Sequence, residues 1–383
     1  MKSYTPKHQN ESIVLEKIIN NSDMSRSKIS QLTNLTKSSV SDITKTLMES
    51  ALIYEGRTGI SSTAGGRKPI YLNFNGHCAT AIAIEIGKDY IKSFLSYING
   101  EIIKTINYPN IEIHKDNIIS VIKKVVNQLE NNSGTTEYGI VGIAIAIHGS
   151  ISNNKILFTP YSNLDELSLH EKLSTEIDLP ILLINEANSA ALGEYTFTSS
   201  FENLISLSIR DGIGAGIVRN GKLYTGKNGN AGEIGHSTLF PNGKLCPCGN
   251  KGCLEQYASN TILKQKFSIN KNIDSIDNST ILDLWNKNDS ETVRILKENA
   301  YFLSVGINNI VLMYDPEVII INNELYQQLP ALVAEIKTQL TGRNSKNIII
   351  QNTSLLGNST LLGCISLVAQ HFLYINKLKF SIN

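Results

Sequence analysis

Along the first 76 residues, apolar positions recur at helical spacing in three short bursts. Ile13, Val14, Ile18 and Ile19 mark one helix, which the polar run Asn21, Ser22, Asp23 ends. Ser25 can cap a second helix with Ile29 and Leu32 turned inward. After a turn at Asn34, Thr36 can cap a third helix, running from Lys37 to about Ser50. Val40, Ile43 and Leu47 form the apolar stripe of this third helix, which leaves Lys37, Ser38, Ser39, Ser41, Asp42, Thr44 and Lys45 on the outer face. The stretch "LIYEGRTGISSTAGGRKPIYLNF" then reads as strand, Gly- and Ser-rich loop and strand, a hairpin with Arg57, Arg67 and Lys68 near its tip.

Beyond Gly76 the period changes. "ATAIAIEIG", "YIKSFLSYI" and "EIIKTINY" read as three strands, the last two joined at Asn99-Gly100. A helix follows near Asn117 to Glu130, then a buried strand "YGIVGIAIAIHG". A similar opening recurs at "LISLSIRDGIGAGIVRNGKLYTG", with its own Asn220-Gly221 turn. Later come a helix around Val293 to Leu312, the strand "EVIIIN" and a C-terminal helix from about Ser359. The pattern predicts an α/β protein with three parts: a small N-terminal module (1–76), then a body (77–383) of two related lobes (about 77–185 and 186–383) whose cleft is the natural place for a small ligand.

Composition adds little until the chain is divided at Gly76. Of 383 residues, 41% are hydrophobic, and the formal net charge is +1. Residues 1–76 carry 10 Lys+Arg against 6 Asp+Glu, the remainder 25 against 28, so a basic module precedes a mildly acidic body. Helix, turn, helix and a basic hairpin make a winged helix-turn-helix. Its outer face of short hydroxyls and lysines can approach phosphates and base edges in a major groove, while Arg67 can enter a minor groove. Operator DNA is the expected partner, and a homodimer the expected assembly, because such modules bind palindromic sites as pairs. No apolar run approaches the roughly 18 residues of a membrane span and no signal segment opens the chain, so a cytoplasmic location is expected.

Three of the five cysteines fall within eight positions, in "GEIGHSTLFPNGKLCPCGNKGCLEQ". His236, Cys246, Cys248 and Cys253 supply one imidazole and three thiolates, a full tetrahedral set for Zn²⁺ with no vacancy for a catalytic water, so a structural zinc loop is expected at 236–253. Pro247 and the glycines at 249 and 252 let the loop fold tightly. A zinc ion there would also hold Glu233 and Glu255 in place as hydrogen-bond acceptors for a ligand.

The stretch from "GIGAGI" through "NGNAGEIGH" to "CPCGNKGCLEQ" closely resembles the signature of the ROK family, which contains both sugar kinases and sugar-responsive repressors, and the resemblance extends over nearly the whole chain. It implies a body of the sugar-kinase and actin-like ATPase fold. It assigns His236 and the three cysteines to zinc, and Glu233, His236, Glu255, Asn163 and Asn185 to sugar contacts, with Glu186 at the position of the kinases' catalytic aspartate. The nucleotide side departs from the kinase pattern. Glu85-Ile86-Gly87-Lys88-Asp89 replaces D-x-G-G-T, Asn322-Asn323 replaces a glycine pair, Arg210-Asp211 precedes "GIGAG", and Glu186 moves its carboxylate by about 1 Å. With the N-terminal module, the chain is similar to the repressor branch of the family, with no catalytic residues expected. The resemblance implies operator release by a pentose, D-xylose. The residues alone leave glucose or another sugar open, and a sugar kinase with an accessory DNA-binding domain is the alternative.

Overall fold

The computed structural model describes residues 3–59, 68–160, 164–165, 167–273 and 276–380. Two residues singled out above, Arg67 and Asn163, lie outside the described residues. The chain divides into two compact units. One comprises Met1–Asn185, Thr196–Thr198 and Leu361–Asn383, and the other Glu186–Tyr195 and Ser199–Thr360.

In the first unit the chain begins with α1 (Gln9–Ile19), β1 (Met24–Ser25), α2 (Arg26–Thr33), α3 (Lys37–Glu49), β2 (Ile53–Thr58) and β3 (Ile70–Phe74). The expected caps are in place: Ser25 Oγ accepts from Lys28 N, Thr36 Oγ1 accepts from Ser39 N, and Asn34 closes α2 at φ 57°. Met24, Ile29, Val40, Leu47 and Leu72 are fully buried beneath them. The structure corrects two facing assignments. Leu32, expected inward, is 51% exposed, and in α1 Ile13 is exposed while Leu15 fills the core. Thr44, expected on the outer face, is buried, because it stands four residues after Val40 and three before Leu47 and so shares their stripe. The sequence reading also lacked β1, which pairs antiparallel with β3 through Met24 and Leu72 to complete a three-stranded sheet.

The chain continues with β4 (Thr80–Ile86), β5 (Tyr90–Tyr97), β6 (Ile102–Pro109), α4 (Ile118–Glu130), β7 (Ile140–Ile147), the hairpin β8 (Ser150–Ser152) and β9 (Lys155–Phe158), α5 (Leu169–Ser174) and β10 (Ile181–Asn185). The strand order is β10-β7-β4-β5-β6, parallel on the β10-β7-β4 side and antiparallel beyond it. Central β4 and β7 are buried at every residue, Thr80 and Glu85 of β4 included, whereas edge strand β6 is largely exposed. α4 covers the sheet through Ile118, Ile122, Val125, Val126 and Leu129.

After α6 (Glu186–Phe197), the second unit holds β11 (Leu204–Ile209), β12 (Ile213–Arg219), β13 (Lys222–Leu223), a 3-10 turn (Ile234–His236), α7 (Glu255–Ala258), α8 (Asn260–Lys271), α9 (Asn278–Asn286), α10 (Ser290–Tyr314), β14 (Val318–Asn322), α11 (Glu324–Gln328), α12 (Ala331–Gln339) and β15 (Ile349–Asn352); α13 (Ser359–Leu373) ends the helical structure. The sheet order is β13-β12-β11-β14-β15, with β11, β14 and β15 parallel. Both five-stranded sheets thus run third, second, first, fourth, fifth in chain order, the architecture of a duplicated α/β unit. From Leu361 onward α13 belongs to the first unit, where Val368 packs at Gly142 and Cys364 lies under Ile84. No helix among the described residues is long and apolar enough to cross a membrane.

Candidate functional site

The cysteine loop is built on β12. Gly232 has φ +91°, and a Cβ there would lie 1.7 Å from Ala215 O, so only glycine lets the loop leave the sheet this closely. Gly252, at φ +76°, makes the same approach to Phe240 O, and the peptide groups around it close a tight weave: Leu239 N to Gly252 O at 2.7 Å, Gly252 N to Lys244 O at 2.7 Å, and Leu254 N to Ser237 O at 2.9 Å. That weave converges the four expected ligands, with Cys248 Sγ 3.7 Å from Cys253 Sγ, Cys246 Sγ 3.6 Å from His236 Nδ1, and all four ligand atoms within 4.8 Å of one another. With Zn–S bonds of about 2.3 Å and Zn–N bonds of about 2.0–2.1 Å, tetrahedral ligands stand about 3.5–3.8 Å apart, so the set fits a metal ion of that kind. Burial pushes the Cys246 and Cys253 thiols up, and a divalent cation reverses that preference by stabilising thiolates.

Around this cluster the expected sugar contacts take fixed positions. His236 Nδ1 faces Cys246 Sγ and lies 3.5 Å from Glu255 Oε1, and its Nε2 lies 3.8 Å from Glu233 Oε2. The ring therefore offers one nitrogen to the sulfur cluster and the other to the half-exposed Glu233. A cavity of about 300 Å³ opens beside them, with Glu233, His236 and Asn230 on its rim and Ile205, Ala215 and Ile217 beneath. Glu255 and Glu186 do not line it.

Glu186 opens α6 and is buried, with its carboxylate accepting from Ser208 Oγ at 2.8 and 2.9 Å and from Thr360 Oγ1 at 3.0 Å, while Arg210 Nε stands 3.8 Å away. Asn185, the last residue of β10, donates to Gly149 O at 2.8 Å. The sequence reading missed Ser208 and Thr360. Ser206 and Ser208, two apart in the apolar strand "LISLSI", were the available signal, since alternation places both on one face.

The positions where the sequence departs from the kinase pattern are filled by packed side chains. Asn322 donates to Ser206 Oγ and accepts from Ser359 Oγ at 2.7 Å. Asn323 donates to Ile209 O at 2.9 Å and to Asn260 Oδ1 at 2.8 Å, and both asparagines are buried. In the first unit the Tyr90 ring covers Gly87 so closely that a Cβ there would lie 2.1 Å from it, and the Tyr90 hydroxyl donates to buried Glu85 at 2.7 Å. Lys88 and Asp89 are exposed.

In the N-terminal module Lys37, Ser38, Ser41, Asp42 and Lys45 are exposed on α3, Ser39 is half-buried against Thr36, and Thr44 is turned inward, accepting from Arg26 Nε at 3.0 Å. Exposed Arg57 pairs with Asp23 at 2.7 Å and lies over the Tyr71 ring, and Lys68 is exposed.

The ROK family pattern matches residues 81–371, and the chain belongs to the ROK family. The xylose repressor of Bacillus spizizenii is 35% identical over 97% of this chain and 98% of its own length. Among solved structures, a ROK family transcriptional regulator, a homolog of the E. coli MLC protein, matches with a TM-score of 0.79 at 23% identity, covering 94% of this chain and 96% of its own. The glucokinase of Streptomyces griseus matches at 0.68 and 24% identity over 99% of its own chain but only 76% of this one.

Proposed function

We propose that the protein is a sugar-responsive transcriptional repressor, with D-xylose as its signal. The observation that carries this reading is the identity to the Bacillus spizizenii xylose repressor, which runs through the first 76 residues as well as the body. In this reading residues 1–76 are a winged helix-turn-helix domain that binds operator DNA as a homodimer, with α3 in the major groove and Lys37, Ser38, Ser39, Ser41, Asp42, Lys45, Arg57, Arg67 and Lys68 toward DNA. Residues 77–383 form the sensing body. His236, Cys246, Cys248 and Cys253 hold a structural Zn²⁺, and Asn163, Asn185, Glu186, Glu233, His236 and Glu255 face the sugar. Release follows if the sugar binds the form of the protein that holds DNA poorly more tightly than the form that holds it well. The protein works in the cytoplasm.

Kinase activity is not part of this reading. Asn322 and Asn323 place side chains where the family's kinases carry a glycine pair, the Tyr90 ring covers Gly87, and Glu186 is engaged by Ser208, Thr360 and Arg210. The test is fluorescence anisotropy of a labelled promoter fragment from beside pentose-utilisation genes, titrated with protein, then with D-xylose and D-glucose in parallel. Binding reversed by D-xylose alone supports the reading, and binding that neither sugar reverses removes the ligand. Steady ATP turnover dependent on a sugar would replace the repressor with a kinase.

A further inference from the structure

The segment 374–380 that follows α13 is neither helix nor strand, yet it makes directed contacts within the first unit. Asn20, which closes α1, donates through Nδ2 to Lys377 O at 2.9 Å and accepts at Oδ1 from Lys379 N at 2.8 Å. One side-chain amide thereby pairs with alternate peptide groups of the tail, as a neighbouring strand would. Phe380 stacks on Phe74 of β3 with ring centroids 5.8 Å apart and meets Phe197 at 5.6 Å, and its N–H donates to Thr196 O at 2.8 Å. The tail is held by α1 and β3 on one side and by the last turn of α6 on the other. Just upstream, Phe372 sets its ring against Tyr4 and Tyr138, and the Tyr138 hydroxyl donates to Ser50 O at the end of α3.

Both helices that reach these contacts begin at one carboxylate. Thr196 and Phe197 end α6, whose first residue is Glu186, and Phe372 is near the end of α13, whose second residue, Thr360, donates to Glu186. A helix keeps its two ends in register because each turn is bonded to the next. The tail, neither helix nor strand, is held by the contacts just described.

We propose that residues 374–380 are a clasp that positions the N-terminal module on the body, with Asn20 and Phe380 as positioning residues through which sugar binding reaches the module. This rests on the repressor reading above. Full-length wild type, Asn20→Ala, Phe380→Ala and Phe380→Tyr are compared by operator anisotropy with and without D-xylose, by calorimetry of D-xylose binding, and by hydrogen exchange. In the alanine variants, operator affinity without sugar and D-xylose affinity stay within about threefold of wild type, whereas the loss of operator affinity caused by saturating D-xylose shrinks at least about tenfold; Phe380→Tyr, which keeps the ring, retains the wild-type response. Exchange protection of α1 falls in the alanine variants while that of β4 and β7 holds.

Alanine variants that release operator as wild type does overturn the clasp, as does loss of operator and sugar binding together, the mark of a merely structural role. Unchanged α1 protection overturns it whatever the ligand. A wild type whose operator binding D-xylose leaves unchanged overturns the repressor reading's ligand, and the coupling claim with it, before any variant is compared.

Discussion

The Ser208 hydroxyl stands 2.8 and 2.9 Å from the two oxygens of the buried Glu186 carboxylate, so that its one proton is shared between them. Thr360 adds a second donor, and the Arg210 guanidinium supplies the opposing charge. Such a group is anchored by partners that an amide cannot all satisfy, because the amide turns one acceptor into a donor. Glu186→Gln is expected to destabilise the protein by about 1.5–3 kcal/mol, the scale of a hydrogen bond to a charged group, and to lower the melting temperature accordingly. An unchanged melting temperature would mean that Glu186 faces solvent-like surroundings.

The sulfur cluster makes a prediction of another kind. Cys248 is the exposed member of the set, so Cys248→Ser alters the core less than the same change at buried Cys246 or Cys253. Elemental analysis is expected to find about one zinc per wild-type chain and none in the variant, with a lower melting temperature and no D-xylose response, because closed four-ligand sites contribute directly to folding. Operator binding by the N-terminal module is expected to survive. A variant without zinc that still responds to the sugar would separate the loop from sensing.

How far the chain could be read from its sequence depended on how local each cause was. Ser25 and Thr36 cap helices that begin one residue later, and the four metal-type ligands fall between 236 and 253, so both were legible. A hydroxyl reads as a surface group, yet the spacing of Thr44 from Val40 and Leu47 places it in their buried stripe. Leu32 could not be read because which face of α2 meets the core depends on β1 and β3, and the two-residue β1 has no pattern of its own. The partners of Glu186 come from 22 and 174 positions away, a distance over which periodicity carries no information.

In the proposed repressor, exposed Lys37 and Lys45 would each offer one charge to a DNA phosphate. Among the described residues, Lys45 has only an exposed pairing with Glu49 at 3.9 Å to give up. Replacing either with Ala is expected to weaken operator binding and to make the slope of log K against log salt shallower by about 0.9, the value for one neutralised phosphate. Anisotropy titrations at several salt concentrations give both quantities. A slope that neither substitution changes would remove the outer face of α3 from the interface.

Acid should weaken the protein through a different residue. Asp289 caps α10 and accepts from Lys271 Nζ at 2.6 Å, from Thr292 Oγ1 at 2.7 Å and from Thr292 N at 2.9 Å, and these donors, Lys271 foremost, hold its carboxyl down at about 2. An unfolded aspartate titrates near about 3.9. Because the folded value is the lower one, the ionised carboxylate contributes stability that is fully present above about pH 4 and is lost as pH falls through about 2. Asp289→Asn can still cap the helix but carries no charge to lose. The wild type should therefore melt at higher temperature than the variant at pH 7, and the gap should narrow steadily below about pH 4. A gap that stays constant across that range would show that the cap's hydrogen bonds, rather than its charge, hold the start of α10.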